Sequence, residues 1–382
     1  MVEIRERIGR IATMTSQPDQ GAFAFEFSTS TPSARNLPSF DVSLLALSGV
    51  EDLERRSIKA LIRFFNGDLG KVWDNSLEDV RVALSSADVP ATALAAKITA
   101  NPDALVAQGA SKAAELARRR VRVLAPSDIP VQLRGIPDAP SWLFVQGEVN
   151  VLAERPVVAV IGTRRPSQAG LRAARLIAKM IAAYPITLVS GLAEGIDEEA
   201  HSASLREGVR NVAFLGHGIN RVFPASTKPV RERIVKQGGA VVSEYSPDER
   251  SRKSYFVERN RLQAGLADMV IPVEATSRSG TAHTVRFARE YGRRVVGIRW
   301  RNSNGILDKL ERDKVPLVDI FTPHGRKKLD KMLRDLADEH GRTTFALSLV
   351  ERRLLSEAES REVRSEDVDR LRRTLEKIVD KR

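Results

Sequence analysis

Short apolar runs alternate with amphipathic stretches between Pro156 and Trp300. Six of these runs have strand length: Val157–Ile161, Thr187–Ser190, Val212–Leu215, Ala240–Ser243, Met269–Val273 and Arg294–Ile298. Between the first two runs, one helical face is formed by Ala174, Ile177, Ala178 and Ile181. Strands that alternate with helices in this way are typical of a parallel α/β sheet, so the pattern predicts a Rossmann-like domain.

The segments that flank this domain have different patterns. Residues 1–40 mix Ser, Thr, Pro and Gln without a sustained period, which predicts a loose arm. Residues 41–120 predict a small helical domain, because apolar positions from Leu44 to Phe65 recur at steps of three and four. The Rossmann-like domain and its connector, the proline-containing segment around Trp142–Val145, are assigned to 121–320. Residues 321–382 are assigned to a charged helical extension, with one helix over Arg326–Glu339 and another around Val368. The charges of that extension belong either to a solvated face or to an interaction surface.

Three glycine-containing turns directly follow the first three runs: Gly162-Thr163-Arg164, Ser190-Gly191-Leu192-Ala193-Glu194-Gly195 and Gly216-His217-Gly218. A fourth turn, Ser279-Gly280-Thr281, opens a helix after the run that ends at Val273. The carboxyl ends of parallel strands meet at one edge of a sheet, so these turns converge on one crevice. Helix N-termini and the Arg164 guanidinium suit an anion there. We predict a phosphate-binding crevice, although ordinary packing remains an alternative for each turn.

Two other motifs could suggest a metal or cofactor site, but the sequence favours neither. Asp197 and His201 lie four residues apart on one helical face, but no further ligand stands at metal spacing nearby. We interpret them as a structural hydrogen-bonded pair and expect no metal site. Gly216-His217-Gly218 is not a dinucleotide fingerprint, since Arg221 takes the place of the third glycine. The chain also lacks the P-loop sequence, so we expect no nicotinamide, flavin or other cofactor.

Charge and composition favour a polyanionic partner. The chain has 61 Lys and Arg residues against 49 Asp and Glu residues, a net charge of +12. Nucleic acid is the leading partner, an anionic membrane surface the second, and a basic solvated exterior the alternative. The absence of cysteine excludes disulfides and thiol catalysis. No apolar run reaches the length of a signal peptide core or a bilayer span, so we expect a cytoplasmic protein without membrane association.

A basic stretch that contains aromatic residues gives the strongest compositional signal for nucleic acid. Its cations are Arg250, Arg252, Lys253, Arg259 and Arg261, and its rings are Tyr255 and Phe256. Cations beside rings are the combination that binds unpaired strands, because phosphates pair with the charges and bases stack on the rings. Phe223 precedes Pro224 in a predicted loop tip and is a further ring of this kind. The alternative is a basic loop whose rings turn into the core.

The chain resembles the DNA-processing protein A family (DprA, also called Smf), whose members bind single-stranded DNA and mediate recombination. The resemblance rests on six motifs in order: Val160-Ile161-Gly162-Thr163-Arg164; Ser190-Gly191-Leu192-Ala193 with Gly195-Ile196-Asp197; Gly216-His217-Gly218 with Phe223-Pro224; Ser243-Glu244-Tyr245; Arg259-Asn260-Arg261; and Val273-Glu274-Ala275 with Ser279-Gly280-Thr281. It implies an extended Rossmann-like fold, a helix-hairpin-like N-terminal domain, a homodimer, and loading of the RecA recombinase in natural transformation.

The resemblance also implies roles for individual residues. Those implied to bind DNA or its phosphates are Gly162, Thr163, Arg164, Ser190, Gly191, Leu192, Ala193, Gly195, Gly216, His217, Gly218, Ser279, Gly280 and Thr281. Phe223 would contact a base, and Arg259, Asn260 and Arg261 would line the path of the strand. No residue is expected to be catalytic.

The sequence departs from the family at several positions. The family usually has Asp where Asn220 stands, commonly Tyr in place of Phe223, and Pro where Val257 stands. These departures indicate a divergent member, and phage defence or a mobile element is the alternative setting to DNA uptake.

Two other functions remain open. The first is a sensor or enzyme that binds or cleaves nucleotide derivatives, such as a nucleotide N-glycosidase, with Glu274, Arg164 and Arg259 as its candidate group. The chain lacks the Pro-Gly-Gly-x-Gly-Thr turn of the similar phosphoribohydrolases, which disfavours this function. The second is a scaffold that holds a protein partner through the charged C-terminal helices.

Overall fold

The computed structural model describes residues 37–276, 279–300 and 305–359, the last eighteen of them by their backbone only. Almost all of the predicted arm, and the predicted helix around Val368, lie outside these residues. The described residues up to Arg334 belong to one compact unit, and those from Asp335 onwards to a second.

The described residues before the sheet are mainly helical, as the three- and four-residue spacing of their apolar positions predicts. Its helices are α1 (Phe40–Leu47), α2 (Arg55–Phe64), α3 (Leu77–Ser85), α4 (Ala91–Thr99) and α5 (Pro102–Arg118). A capping box formed by Ser76 and Asp79 begins α3. The Asn101 side chain accepts a hydrogen bond from the Ala104 N–H, and Pro102 takes the first position of α5. We call α1 to α5 the helical unit.

The described residues form an eight-stranded, mostly parallel sheet, which confirms the predicted α/β class. Its strands are β1 (Val121–Leu124), β2 (Leu143–Gly147), β3 (Val157–Ile161), β4 (Thr187–Ser190), β5 (Asn211–Phe214), β6 (Ala240–Ser243), β7 (Met269–Pro272) and β8 (Arg294–Val295). Their spatial order is β1-β2-β6-β5-β4-β3-β7-β8. The strands from β6 to β8 in this order are parallel, while β2 pairs antiparallel with both β1 and β6.

Helices follow most of the strands. They are α6 (Val131–Arg134), α7 (Gln168–Ile181), α8 (Ile196–Arg206), α9 (Lys228–Lys236), α10 (Lys253–Leu266) and α11 (Gly280–Glu290). The chain continues through β9 (Gly297–Arg299), α12 (Leu307–Arg312), β10 (Leu317–Asp319) and the long helix α13 (Pro323–Glu359). Strands β9 and β10 pair in parallel as a separate small sheet.

Both faces of the sheet are buried, which explains why its strands are apolar at nearly every position. Val212 and Phe214 of β5 pack into one core, and Ala213 between them packs into the other. Successive side chains of a strand point to opposite faces, so each core receives every second residue. The core on the Ala213 side is continuous with that of the helical unit, because it also contains Leu44 and Phe144.

The structure corrects two details of the predicted sheet. The segment around Trp142–Val145, expected to be a connector, contributes β2 and carries the sheet outwards to β1. The predicted strand Arg294–Ile298 is divided into β8 and β9, and these belong to different sheets. Several prolines around β2 suggested a connector, but a strand is compatible with them because they stand outside its paired residues.

None of the described helices combines the length and the apolar character that a bilayer-spanning segment needs.

Candidate nucleic-acid interface

A cleft of about 620 Å³ opens at the carboxyl end of β3. One wall is the turn after β3, and the opposite walls are the start of α10 and the first turn of α11. Parallel strands and helix N-termini meet at this edge, as the spacing of the glycine turns predicts. We call this cleft the crevice.

Cations outnumber anions among the charged residues that line the crevice. The basic residues that line it are Arg164, Arg165, Arg252, Lys253 and Arg259, and the acidic one among the described lining residues is Asp197. The side chains of Arg164, Arg165, Arg252 and Lys253 are exposed to solvent. A cleft lined by charges of one sign concentrates counter-ions, so the crevice attracts anions.

A cation and two rings stand in a row across the crevice. The Arg164 guanidinium lies 4.7 Å from the centre of the Phe256 ring, in cation–π geometry. The Phe256 ring is 6.0 Å from the Phe223 ring, and Phe223 is 47% exposed. Gly216 makes this row possible, because a Cβ there would lie 2.6 Å from the Phe256 ring. The row therefore offers flat apolar surface beside positive charge.

The amides of Gly162 and Gly191 face inwards to the carboxylate of Asp197. Asp197 accepts hydrogen bonds from the Gly162 N–H at 3.3 Å and from the Gly191 N–H at 3.2 Å. Asp197 stands in the first turn of α8, where a carboxylate is favoured by the helix dipole. This side chain thus occupies two of the amides predicted to bind phosphate. Gly162 and Gly191 instead join the ends of β3 and β4 to α8.

Arg259 forms the floor of the crevice. It is buried, and its guanidinium donates a 2.8 Å hydrogen bond to the Phe214 carbonyl. Burial lowers the pKa of Arg259 to about 10, against the opposing effect of the Asp197 carboxylate. Burial likewise raises the pKa of Asp197, and Arg259 opposes that rise. A side chain on Gly191 would collide with the Arg259 guanidinium, which accounts for glycine at that position.

The turn Ser279-Gly280-Thr281 lines the crevice and begins α11. The first N–H groups of a helix have no intrahelical acceptor. The Ser279 hydroxyl donates to the Thr276 carbonyl rather than capping α11. Asn260 holds the turn in place, since its side-chain amide donates to the Gly280 carbonyl at 3.1 Å. This N-terminus is better placed for an anion than the turn after β4.

Most of the other predicted residues pack under the crevice. The Ser190 hydroxyl donates to the Val160 carbonyl at 2.6 Å, and Leu192 is buried. The His217 ring lies 3.0 Å from the Gly218 carbonyl and 3.3 Å from the Phe223 carbonyl, so it supports the loop of Phe223. Burial lowers the pKa of His217. These residues shape the crevice from beneath it.

Thr163, Ala193 and Gly195 complete the predicted set. Thr163 and Ala193 line the crevice. Gly195 precedes α8 with a φ of 89°, a conformation that favours glycine, and a Cβ there would lie 2.5 Å from the Thr163 carbonyl. Gly195 therefore shapes the entry to α8.

The structure places Arg261 away from the crevice. Its guanidinium makes two hydrogen bonds of 3.0 and 2.9 Å to the Glu244 carboxylate and another of 3.2 Å to Asp138. Arg261 stands two positions after Arg259 on α10, about 200° further round the helix, so the two side chains point to nearly opposite sides. In this structure Arg261 serves a buried ion pair with Glu244, and its predicted contact with the DNA strand stays a prediction.

Asp197 and His201 are both structural, but they do not form the predicted pair. The His201 Nδ1 atom lies 2.7 Å from the Asn211 side-chain oxygen, while Asp197 bonds the two glycine amides. Burial lowers the pKa of His201 to about 4. In the part of the chain that the structure describes, no group of three His, Asp or Glu side chains is arranged to hold a metal ion.

Glu274 does not face the crevice either. Its carboxylate accepts 3.0 Å hydrogen bonds from the backbone N–H and the hydroxyl of Ser167, at the start of α7. This contact ties Glu274 to the start of α7.

Some lining residues escaped the sequence reasoning. Arg165, Gln263 and Thr284 line the crevice, and Gln263 has a buried amide nitrogen without a hydrogen-bond partner. Arg165 follows Arg164 directly, so its position in the same turn indicated a second cation in the crevice. Gln263 stands one helical turn after Arg259 on α10, so the face of Arg259 also pointed to it.

Comparisons with known proteins identify a matching family and similar chains. The profile of a family described as DNA recombination-mediator protein A matches residues 120–306. Protein Smf of Escherichia coli is 39% identical over 178 residues, which cover 46% of this chain and 47% of that protein. DNA processing protein DprA of Streptococcus pneumoniae is 39% identical over 181 residues, which cover 47% of this chain and 62% of that protein. The matches therefore span less than two thirds of either relative.

Solved structures share the fold. DNA processing protein A from Streptococcus pneumoniae matches with a TM-score of 0.56 and 28% identity, over 73% of this chain and 94% of that chain. DNA processing protein A from Helicobacter pylori, whose structure concerns its single-stranded DNA binding mode, matches with a TM-score of 0.51 and 27% identity. That match covers 57% of this chain and 97% of the other.

Proposed function

We propose that the chain, whose residues 120–306 match the profile of the DNA recombination-mediator protein A family, binds single-stranded DNA in its crevice as a recombination mediator. The observation that carries the proposal is the row of Arg164, Phe256 and Phe223 inside a cleft lined by cations. The row combines the two groups that an unpaired strand needs, rings for its bases and positive charge for its phosphates.

The rings favour a single strand over a duplex. Base pairs in a duplex are stacked on each other, so their faces are closed to protein side chains. An unpaired base presents its face, and stacking it on an aromatic ring contributes about 1–3 kcal/mol. Phe223 is exposed at the mouth of the crevice and would take the first base.

The phosphates would be held by exposed cations. Arg164 offers a planar fork to one phosphate, while Arg252 and Lys253 flank the opposite wall. The N-terminus of α11 at Gly280 and Thr281 adds N–H donors and the positive end of a helix dipole. Arg259 beneath them contributes positive charge from the floor.

The recombinase and the assembly state are further parts of the proposal. We propose that the chain loads RecA onto the bound strand and acts as a homodimer in the cytoplasm, on the basis of the family that its residues 120–306 match. Natural transformation and phage defence are both compatible with this activity, which involves no catalytic step of the protein itself.

Replacing Phe223 with alanine tests the role of the crevice in base binding. We expect the affinity for single-stranded DNA to fall by about 5- to 100-fold, because one stacked base is lost. Fluorescence anisotropy with a labelled oligonucleotide measures this change. The melting temperature should stay within experimental error, since half of the Phe223 side chain is already in solvent.

Phe223→Leu is the matched control because leucine keeps the apolar bulk without the ring. It should lose affinity nearly as strongly as the alanine variant if stacking is the interaction. Full affinity in both variants would refute the base contact at Phe223.

A further inference from the structure

We propose that the bound strand continues from the crevice into a second groove, where Lys112 and Arg221 of this chain bind its phosphates. The second groove lies between the helical unit and the loops that follow β5 and β6, and its volume is about 480 Å³. The inference rests on the proposed function, since it concerns the path of the same strand.

The two clefts adjoin each other at Arg252. Arg252 lines both of them, and its neighbours divide between the two, with Arg250 in the second groove and Lys253 in the crevice. A strand that leaves the crevice over residues 250–253 therefore passes three cations as it enters the second groove.

The far wall of the second groove belongs to the helical unit. Leu45 and Ser48 come from the end of α1, and Lys112 and Leu116 come from α5. The helical unit shares a buried core with the sheet, so this wall is fixed relative to the crevice. A strand in the groove would contact both parts of the compact unit.

The carboxylates of the second groove have partners within the protein. Asp248 accepts a 3.0 Å hydrogen bond from the Asn220 amide, and Glu249 accepts one of 3.2 Å from the Tyr255 hydroxyl. Glu249 also lies 3.4 Å from Arg252, and Glu115 lies 3.8 Å from Arg119. Two of the three carboxylates in the groove, those of Glu249 and Glu115, are thus paired with arginines, and Asp248 is held by a neutral amide.

Its cations are not compensated in the same way. Within the described residues, Lys112, Arg221 and Arg250 take part in no ion pair, and Arg221 donates only to the backbone carbonyl of Asp248, at 3.0 Å. Arg221 and Arg250 are exposed, and Lys112 is half-buried. Asn220 in the same groove is neutral, whereas the family that the chain resembles usually has a negatively charged Asp there. The groove therefore has positive charge available for phosphates.

The test compares a short and a long oligonucleotide on the double variant Lys112→Gln/Arg221→Gln. Each phosphate contact to a single strand contributes about 0.7 to the slope of log K against log salt. We expect the slope for an oligonucleotide of about 20 nucleotides to decrease in magnitude by about 1.4 in the variant. For an oligonucleotide of about 6 nucleotides, which the crevice alone can hold, we expect no change.

The matched control is Arg175→Gln/Lys179→Gln, which removes the same two charges from the exposed surface of α7, outside both clefts. It should leave both slopes unchanged. Wild-type slopes in the Lys112→Gln/Arg221→Gln variant would refute DNA binding in the second groove. They would not affect the proposal that the crevice binds the strand. Equal losses for both lengths would also refute DNA binding in the second groove, because the charges would then act on the crevice as a whole. Failure of the wild-type protein to bind either oligonucleotide would refute the proposed function instead.

Discussion

The Arg164→Ala variant is expected to bind single-stranded DNA about 10- to 100-fold more weakly than the wild-type protein. A hydrogen bond to a charged group contributes about 1.5–3 kcal/mol, and Arg164 offers such bonds from an exposed position in the crevice. The substitution also removes the cation that lies over the Phe256 ring. Equilibrium titration at fixed salt concentration measures the change.

Arg206→Ala provides the control for this variant. Arg206 is exposed on α8 and pairs with Glu199 at 3.2 Å, outside the crevice. Arg206 carries the same charge as Arg164, so both variants lose one unit of net positive charge. Equal affinities of the two variants would contradict the assignment of the crevice.

The Asp197→Ala variant is expected to lose about 3–5 kcal/mol of its free energy of unfolding, the usual effect of removing one partner from a buried charged group. Two glycine amides lose their acceptor, and the buried Arg259 guanidinium loses its compensating charge. This loss is a large part of the stability of an ordinary domain. Chemical denaturation followed by circular dichroism measures it.

Asp197→Asn separates the charge from the hydrogen bonds. The asparagine oxygen can accept from one of the two amides, so the loss of stability should be smaller than in Asp197→Ala. It also keeps a folded protein available if the alanine variant does not fold. Wild-type stability in both variants would mean that Asp197 does not hold the ends of β3 and β4 to α8.

The sheet was predictable because its signal is local. Each strand from β3 to β7 is an apolar run with helix periodicity after it, and burial on both faces requires such runs. The strand β2 was missed because prolines flank it and its partner β6 lies almost a hundred residues later. Local patterns do not reveal a partner at that distance.

The location of the candidate site was predictable from the sequence, but only some of the contacts of its residues were. Topology gathers Gly162, Arg164 and Gly280 at one edge, as the order of strands and turns indicates. The sequence did not show that Asp197 reaches back to the amides of Gly162 and Gly191, because that contact depends on the tertiary position of α8. The DNA contacts of the remaining residues stay predictions.

The pairing of buried charges also lies beyond the sequence pattern. Arg259 and Arg261 stand two residues apart, yet one lies at the floor of the crevice and the other pairs with Glu244. Helical spacing separates their directions, but only the fold shows which of them meets a carboxylate.

Photo-crosslinking is the most direct measurement of where an unpaired base lies. A single-stranded oligonucleotide that carries 5-iodouracil would be irradiated with the wild-type protein, and the linked peptides identified by mass spectrometry. We predict linkage at Phe223 and Phe256, because the stacked base and the ring are in contact there. Linkage confined to residues outside the crevice would contradict the claim that the crevice binds the DNA strand.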